Sequence, residues 1–303
     1  MKAIATLFFV TIATTITLAQ SPDKVLARAK YHFVHIQDTM QKDRPYTENM
    51  LLVIGKNASL YASYDGLDQT IIRNNRILER AKSLDPGLVS VQLDRTTPDV
   101  NSIVYFFFAK ENKFLTKERL INTYLVEEIA PKISWTITAD TADFSGIHCQ
   151  KALAHFKGRN WIAWYAPNLP FQSGPWKLNG LPGLIIDAYD EKKEVWFQFA
   201  GMENITAATK SPSMPSAGPK VIDLDVGLVK DTEIRLPTNA IKTTQKELDK
   251  LKISRDKDPQ GFRNAQMAAS NGSYNLKAQP KAVLESPKMN TINNPIELPE
   301  KKN

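Results

Sequence analysis

Cys149 is the only cysteine in the chain, and His148 and His155 stand close to it in sequence. A thiol-based site needs a base within hydrogen-bond reach of the sulfur and a third group to orient that base. The segment IHCQKALAHF around these residues reads as a strand, in which successive side chains point to opposite faces. His148 therefore faces away from Cys149. His155 shares a face with Cys149, but six residues of strand separate them by about 20 Å at ~3.3 Å per residue. Only a bulge beside His148 would bring that pair together. Cys149 accordingly reads as a small buried hydrophobe.

The other reactive side chains are scattered in the same way. His32 and His35 differ by an odd number and face opposite sides of a strand, and so do His148 and His155. One histidine from each strand gives two ligands, short of a closed zinc site. Asp223 and Asp225 share a strand face before Gly227 but lack the further ligand spacings of a calcium loop. Glu127 and Glu128 are adjacent and diverge on a strand. No HExxH, GxSxG or phosphate-loop glycine pattern occurs. The pattern thus assigns no catalytic residue, no metal and no cofactor.

The elements that would position these residues are mostly strands. Lys30 to Thr39 places Tyr31, Phe33 and His35 on one face. Met50 to Tyr64 reads as two strands joined at Gly55–Ala58. A helix with Asp68 as N-cap runs to Leu84 and stops at Asp85-Pro86-Gly87. Strands resume over Ile103–Phe108, Lys113–Leu115, Asn122–Glu127 and Lys132–Thr138. Gly146 to Ala166 is a hairpin turning at Lys157-Gly158-Arg159, where the glycine supplies a positive φ. A second hairpin pairs Leu184–Tyr189 with Val195–Phe199. Short connections favour antiparallel neighbours. The expected fold is mainly β: one large curved antiparallel sheet or open barrel with one covering helix, and a C-terminal helical and disordered extension.

Composition sets the limits of that domain. All five tryptophans lie between Trp135 and Trp196, and beyond Gly201 only Phe262 and Tyr274 are aromatic. Large apolar groups are needed to offset ordering entropy, so the core is expected to end near Gly201. The expected organisation is a signal peptide over 1–20, a β domain over 21–201, and an extension with a short strand and helices over 202–270. The first of those helices carries capping-box spacing at Thr244 and Glu247 and ends at Asp258-Pro259, and a short helix over Phe262–Ala269 follows. A disordered tail is expected over 271–303. The formal charge is +7, with 16 basic and 12 acidic side chains from Gly201 onward. Signs are interspersed and no basic stripe alternates with aromatics, which argues against a nucleic-acid partner. Lys2, the apolar run Ala3–Ala19 and the small residues ending at Ala19 describe a secretory signal. No cysteine stands at the cleavage point, so lipid attachment is excluded there, and no second membrane span follows. A lone cysteine allows no intrachain disulfide, so stability must come from a sizeable core.

Gly174 to Ile186 reads GPWKLNGLPGLII. Leu181-Pro182-Gly183-Leu184 has the sequence of a type II turn, with positive φ expected at Gly183. Leu184–Ile186 then enters a strand apolar on both faces, which marks burial. Gly180, Leu181, Pro182, Gly183, Leu184 and Ile185 together match letter for letter the hexapeptide naming the GLPGLI family of exported Bacteroidota proteins. Cys149–Ala152, Phe156–Arg159, Ala163–Pro167, Gly174–Lys177 and the closing Asn294-Pro295-Ile296-Glu297-Leu298 also resemble its pattern. The resemblance implies export in a Gram-negative bacterium, to the periplasm or cell surface, and carries no known activity. Asp38-Thr39-Met40 and Asp140-Thr141-Ala142 resemble short O-glycosylation acceptors and equally fit plain surface turns.

The expected function is a non-enzymatic binding or carrier module for an apolar ligand or an envelope protein partner. Strands rich in aromatics (Phe106–Phe108, Trp161–Tyr165, Trp196–Phe199) would line the ligand, with Trp176 and Trp164 as partner contacts. The alternatives are an accessory partner of an outer-membrane transport or surface system, acting through the rigid corner and the tail, and a hydrolase built from loop residues.

Overall fold

A computed structural model describes residues 22–69, 72, 103–204, 232–237, 239–269 and 292–300. The expected signal segment, Asp223 and Asp225, and most of the helix toward Leu84 lie outside the described residues.

Alternating apolar and polar residues produce a run of paired strands. They are β1 (Asp23–Lys24), β2 (Ala27–His35), β3 (Tyr46–Ile54), β4 (Ala58–Ser63), β5 (Val104–Phe108), β6 (Lys113–Arg119) and β7 (Thr123–Ile129). β8 (Thr136–Phe144), β9 (Ile147–Phe156), β10 (Arg159–Ala166), β11 (Leu184–Asp190) and β12 (Val195–Asn204) follow. β13 (Glu233–Ile234) and β14 (Ile241–Thr243) come last. One twelve-stranded sheet runs β14-β7-β6-β5-β4-β3-β2-β12-β11-β10-β9-β8. β14 pairs parallel to β7 and every other neighbour in this sheet is antiparallel. β14 and β8 are the two ends of that order, so the sheet is open and mainly β architecture holds.

The two sheet faces are covered differently. On the first face Tyr31, Phe33, Leu52, Trp161, Tyr165 and Phe197 form one buried cluster. The connection from 167 to 183 folds back over it and inserts Trp176, Leu178 and Leu181. Trp176 packs against Trp161 at 5.7 Å and Phe156 at 5.9 Å between ring centroids. Phe197 stacks on Phe33 at 5.1 Å. The second face is buried over β3–β6, where Leu51, Val53, Leu60 and Phe106 meet Leu67, Val25 and Ile234. Ile234 belongs to β13, and Val25 directly follows β1 and donates its N–H to Thr232 O at 2.9 Å.

Several local expectations change. The first helix is already helical at 64, and Ser63 caps it by accepting from Gly66 N–H at 2.9 Å. Asp68 is therefore inside the helix, because a buried serine at the strand end takes the cap first. Lys132–Thr138 is not one strand: β8 starts at Thr136. Trp135 donates its indole N–H to Asn179 O at 2.8 Å, which ties this stretch to the 167–183 connection instead of to a strand. Burial continues beyond Gly201, since Ile234 and Leu248 are fully buried. Single aliphatic anchors suffice there because each enters a socket built by the sheet. The helix Gln245–Lys257 sets Leu248 against Tyr124 and Val126, and its N-cap Thr244 accepts from Glu247 N–H. Residues 292–300, expected in a disordered tail, fold back onto the β9–β10 and β11–β12 turns.

Candidate functional site

The hexapeptide corner is rigid, but for a different reason than its turn sequence predicts. Positive φ falls at Gly180 (+89°), while Gly183 has no positive φ, so the type II turn does not form. Gly183 is required by close approach: a Cβ there would stand 2.2 Å from the Ala166 carbonyl oxygen. Leu184, Ile185 and Ile186 are fully buried, as their apolar pattern requires. Trp176 is only 5% exposed, which corrects its expected role as a partner contact. Its left-handed backbone (φ +54°) costs on the order of 1 kcal/mol and turns the indole into the core instead of toward solvent.

Trp164 has the opposite fate. In β10, Trp161, Ala163 and Tyr165 point to the first face, so Ile162 and Trp164 point to the second. Over β8–β12 that second face keeps its aromatic rings half-buried. Trp164 lies beside Asp187 in register, Ile162 beside Tyr189, and Trp196 beside both Tyr189 and Val34. Phe144 meets Trp164 at 5.6 Å and Tyr189 meets Trp196 at 5.7 Å. The Lys193 ammonium stands 5.1 Å from the Trp196 ring centroid and 5.4 Å from that of Tyr189.

Asp187 sits between the two tryptophans and is only 5% exposed. The Trp196 indole N–H donates to its oxygens at 3.0 and 3.1 Å. A carboxylate offers about four lone-pair sites, and one shared N–H leaves it under-supplied. Burial pushes its pKa from 3.8 to about 6, against the opposing pull of Trp196 and Lys193. The face thus combines stacking rings, two cations (Lys193, and Lys151 at 5.9 Å from the Trp164 ring centroid) and one poorly satisfied acceptor.

Among the described residues the reactive side chains do not converge. Cys149 is fully buried, and its thiol reaches only Ile147 O, at 3.4 Å. Burial, with Asp143 and Asp187 nearby, pushes the thiol up to about 12. His148 is exposed on the other side and meets Asp143 at 3.3 Å. His155 meets Asn160 and Glu300, each at 2.8 Å. His32 contacts Asn49 at 3.4 Å. Glu127 pairs with Lys113 and Glu128 with Lys177, as their opposite faces demand. Among the described residues no three His, Cys, Asp or Glu side chains gather in a way that would hold a metal ion.

A second polar assembly lies where β10 begins. Arg159 has a side chain 2% exposed and contacts Asp190 at 2.8 Å and Glu194 at 3.4 Å. Its remaining N–H groups donate to Asn294 Oδ1 and Pro295 O at 2.7 Å, and to Ile296 O at 2.8 Å. His35 donates from Nε2 to Asn294 O at 2.7 Å. Burial holds the His35 pKa below its usual value. Sequence reasoning missed this centre. The available signal was parity: Arg159 shares a face with Trp161, and His35 with Tyr31 and Phe33, so both polar side chains had to enter the core.

A family model described as "Protein of unknown function (Porph_ging)" matches residues 146–187. The matched stretch holds β9, β10, the core-covering connection and the hexapeptide, and ends on Asp187. No curated protein matches the chain. Among solved structures, PNGF-II in its P21 and C2 crystal forms is similar at 12% identity and a TM-score of 0.45. The overlap covers 75% of this chain and 32% of PNGF-II, so this chain spans about a third of that structure's length. Among the described residues no helix is long and apolar enough to cross a membrane.

Proposed function

We propose that this chain is a non-enzymatic binding module, and that its ligand lies on the half-exposed aromatic face of β8–β12. The observation that carries this reading is the row of half-buried rings, Trp164, Tyr189 and Trp196, with Asp187 buried among them and holding only the shared Trp196 N–H. A ligand with an apolar or planar surface gains stacking on the rings, and one bearing an N–H or O–H donor also relieves Asp187. The first face is a poor carrier cavity, since Trp176, Leu178 and Leu181 fill it. We place the module outside the cytoplasm, in the periplasm or at the surface of a Gram-negative bacterium. The support is the apolar run Ala3–Ala19 and the Gly180–Ile185 hexapeptide of the GLPGLI family.

Native mass spectrometry of protein purified from its own envelope tests this reading. The wild-type chain is expected to carry an added mass that the Trp164→Ala, Trp196→Ala double variant loses. An added mass retained in full by that variant would place the ligand elsewhere.

A further inference from the structure

Residues 292–300 contact the sheet the way a bound peptide contacts a receptor. Asn293 and Asn294 both donate backbone N–H to Gln37 O at 3.1 Å, and Leu298 N–H reaches Lys157 O at 3.0 Å. Asn294 is the most deeply buried member. Its side-chain oxygen accepts from Arg159, and its amide donates to Ile36 O at 2.7 Å and Glu194 Oε2 at 3.2 Å. Glu297 lies between Lys177 at 2.7 Å and Lys157 at 3.0 Å. Glu300 accepts from His155 and from Gly158 N–H at 3.0 Å. Gly158 is shaped for this segment, because a Cβ there would stand 2.6 Å from Leu298 O.

Two features separate this segment from the body of the core. Its anchors are polar and directional, with Ile296 and Leu298 only partly buried. Its removal would leave the Arg159 guanidinium its two carboxylate partners, Asp190 and Glu194, so the buried cation would keep opposite charges beside it. The large cost of a buried charge arises when it is left uncompensated, which removal of the segment does not do to Arg159. The groove walls are two hairpin turns and the end of β2, all fixed by sheet pairing without help from the segment.

We infer that this groove is a peptide-recognition site for an extended Asn-Pro-Ile-Glu segment, and that the chain's own residues 292–300 are its exchangeable ligand. Arg159 reads the asparagine and two carbonyls, and Lys157 and Lys177 read the glutamate two positions after the proline. His155 and Gly158 hold the second glutamate.

The test uses the full-length chain with a protease site inserted after Asn271. After cleavage the C-terminal fragment is expected to co-elute with the body, and a fluorescein-labelled peptide of residues 291–303 is expected to replace it, read by anisotropy. An unlabelled peptide carrying Asn294→Ala should compete on the order of 30-fold less well, as loss of a buried polar anchor does. A body that unfolds on cleavage, by circular dichroism, would make the segment part of the fold and overturn the inference. So would a fragment that excess peptide never displaces, or an Asn294→Ala peptide that competes equally.

Discussion

Arg159 and Asn294 lie 135 positions apart in sequence and meet through a 2.7 Å hydrogen bond, both buried. The pair is asymmetric. Arg159→Ala would leave Asp190 and Glu194 facing each other without their cation, a loss worth about 3–5 kcal/mol. Asn294→Ala would leave Arg159 with both carboxylates and cost about 1–3 kcal/mol, the range for lost buried hydrogen bonds. Urea unfolding followed by circular dichroism should rank the two in that order. Equal losses would mean that the carboxylates do not depend on Arg159.

Gly183 and Gly146 should respond to alanine for opposite reasons. At Gly146 a Cβ meets nothing within 4 Å, but φ is +80°, so Gly146→Ala costs about 1 kcal/mol of backbone strain. At Gly183 the Cβ would overlap the Ala166 carbonyl at 2.2 Å. Overlap of that kind moves backbone on both sides and costs roughly 3 kcal/mol. Thermal unfolding of the two variants distinguishes them. A Gly183→Ala chain as stable as Gly146→Ala would mean that the 166–183 contact is loose.

The sheet was legible because its apolar residues recur with period two, and parity also assigned Cys149 and His148 to opposite sides. The Lys157-Gly158 turn was legible from its glycine, and both residues do take positive φ. The corner at Pro182-Gly183 was misread because Pro-Gly admits a turn without requiring one, and packing against Ala166 made the other choice. Trp176 was misread because a loop tryptophan next to prolines looks exposed until the loop is known to fold under the sheet. The clasp of residues 292–300 was invisible to composition. Its hold is polar, and Asn294, Glu297 and Glu300 look like solvated tail residues until Arg159, Lys177 and His155 are brought to them.

Asp187 should give the aromatic face a pH response. Its carboxyl is raised from 3.8 to about 6, mainly by burial. Between those values the folded chain keeps a proton that the unfolded chain releases, so stability falls as pH rises through that window and levels off above it. The Trp196 indole donates to this carboxyl, so Trp196 fluorescence should step with a midpoint near 6. Asp187→Asn should remove both the step and the slope. A midpoint near 4 would mean that water reaches the carboxylate freely, and the acceptor would no longer be waiting for a ligand.

Cys149 is expected to be chemically silent in the folded chain. Thiol chemistry runs through the thiolate and requires access. Burial, helped by Asp143 and Asp187, pushes this thiol up to about 12, and no solvent reaches the residue. At pH 8 the thiolate fraction is then on the order of one in ten thousand, set by a gap of about four pH units. Ellman's reagent should label the thiol at once in guanidinium chloride, and on the order of a thousand-fold more slowly in buffer, where labelling must wait for opening. A catalytic cysteine would behave in the reverse way, with a depressed pKa and faster labelling in the native state than in the unfolded one. Native labelling within a factor of ten of the unfolded rate would therefore reopen the thiol as a nucleophile and weaken the case for a purely binding face.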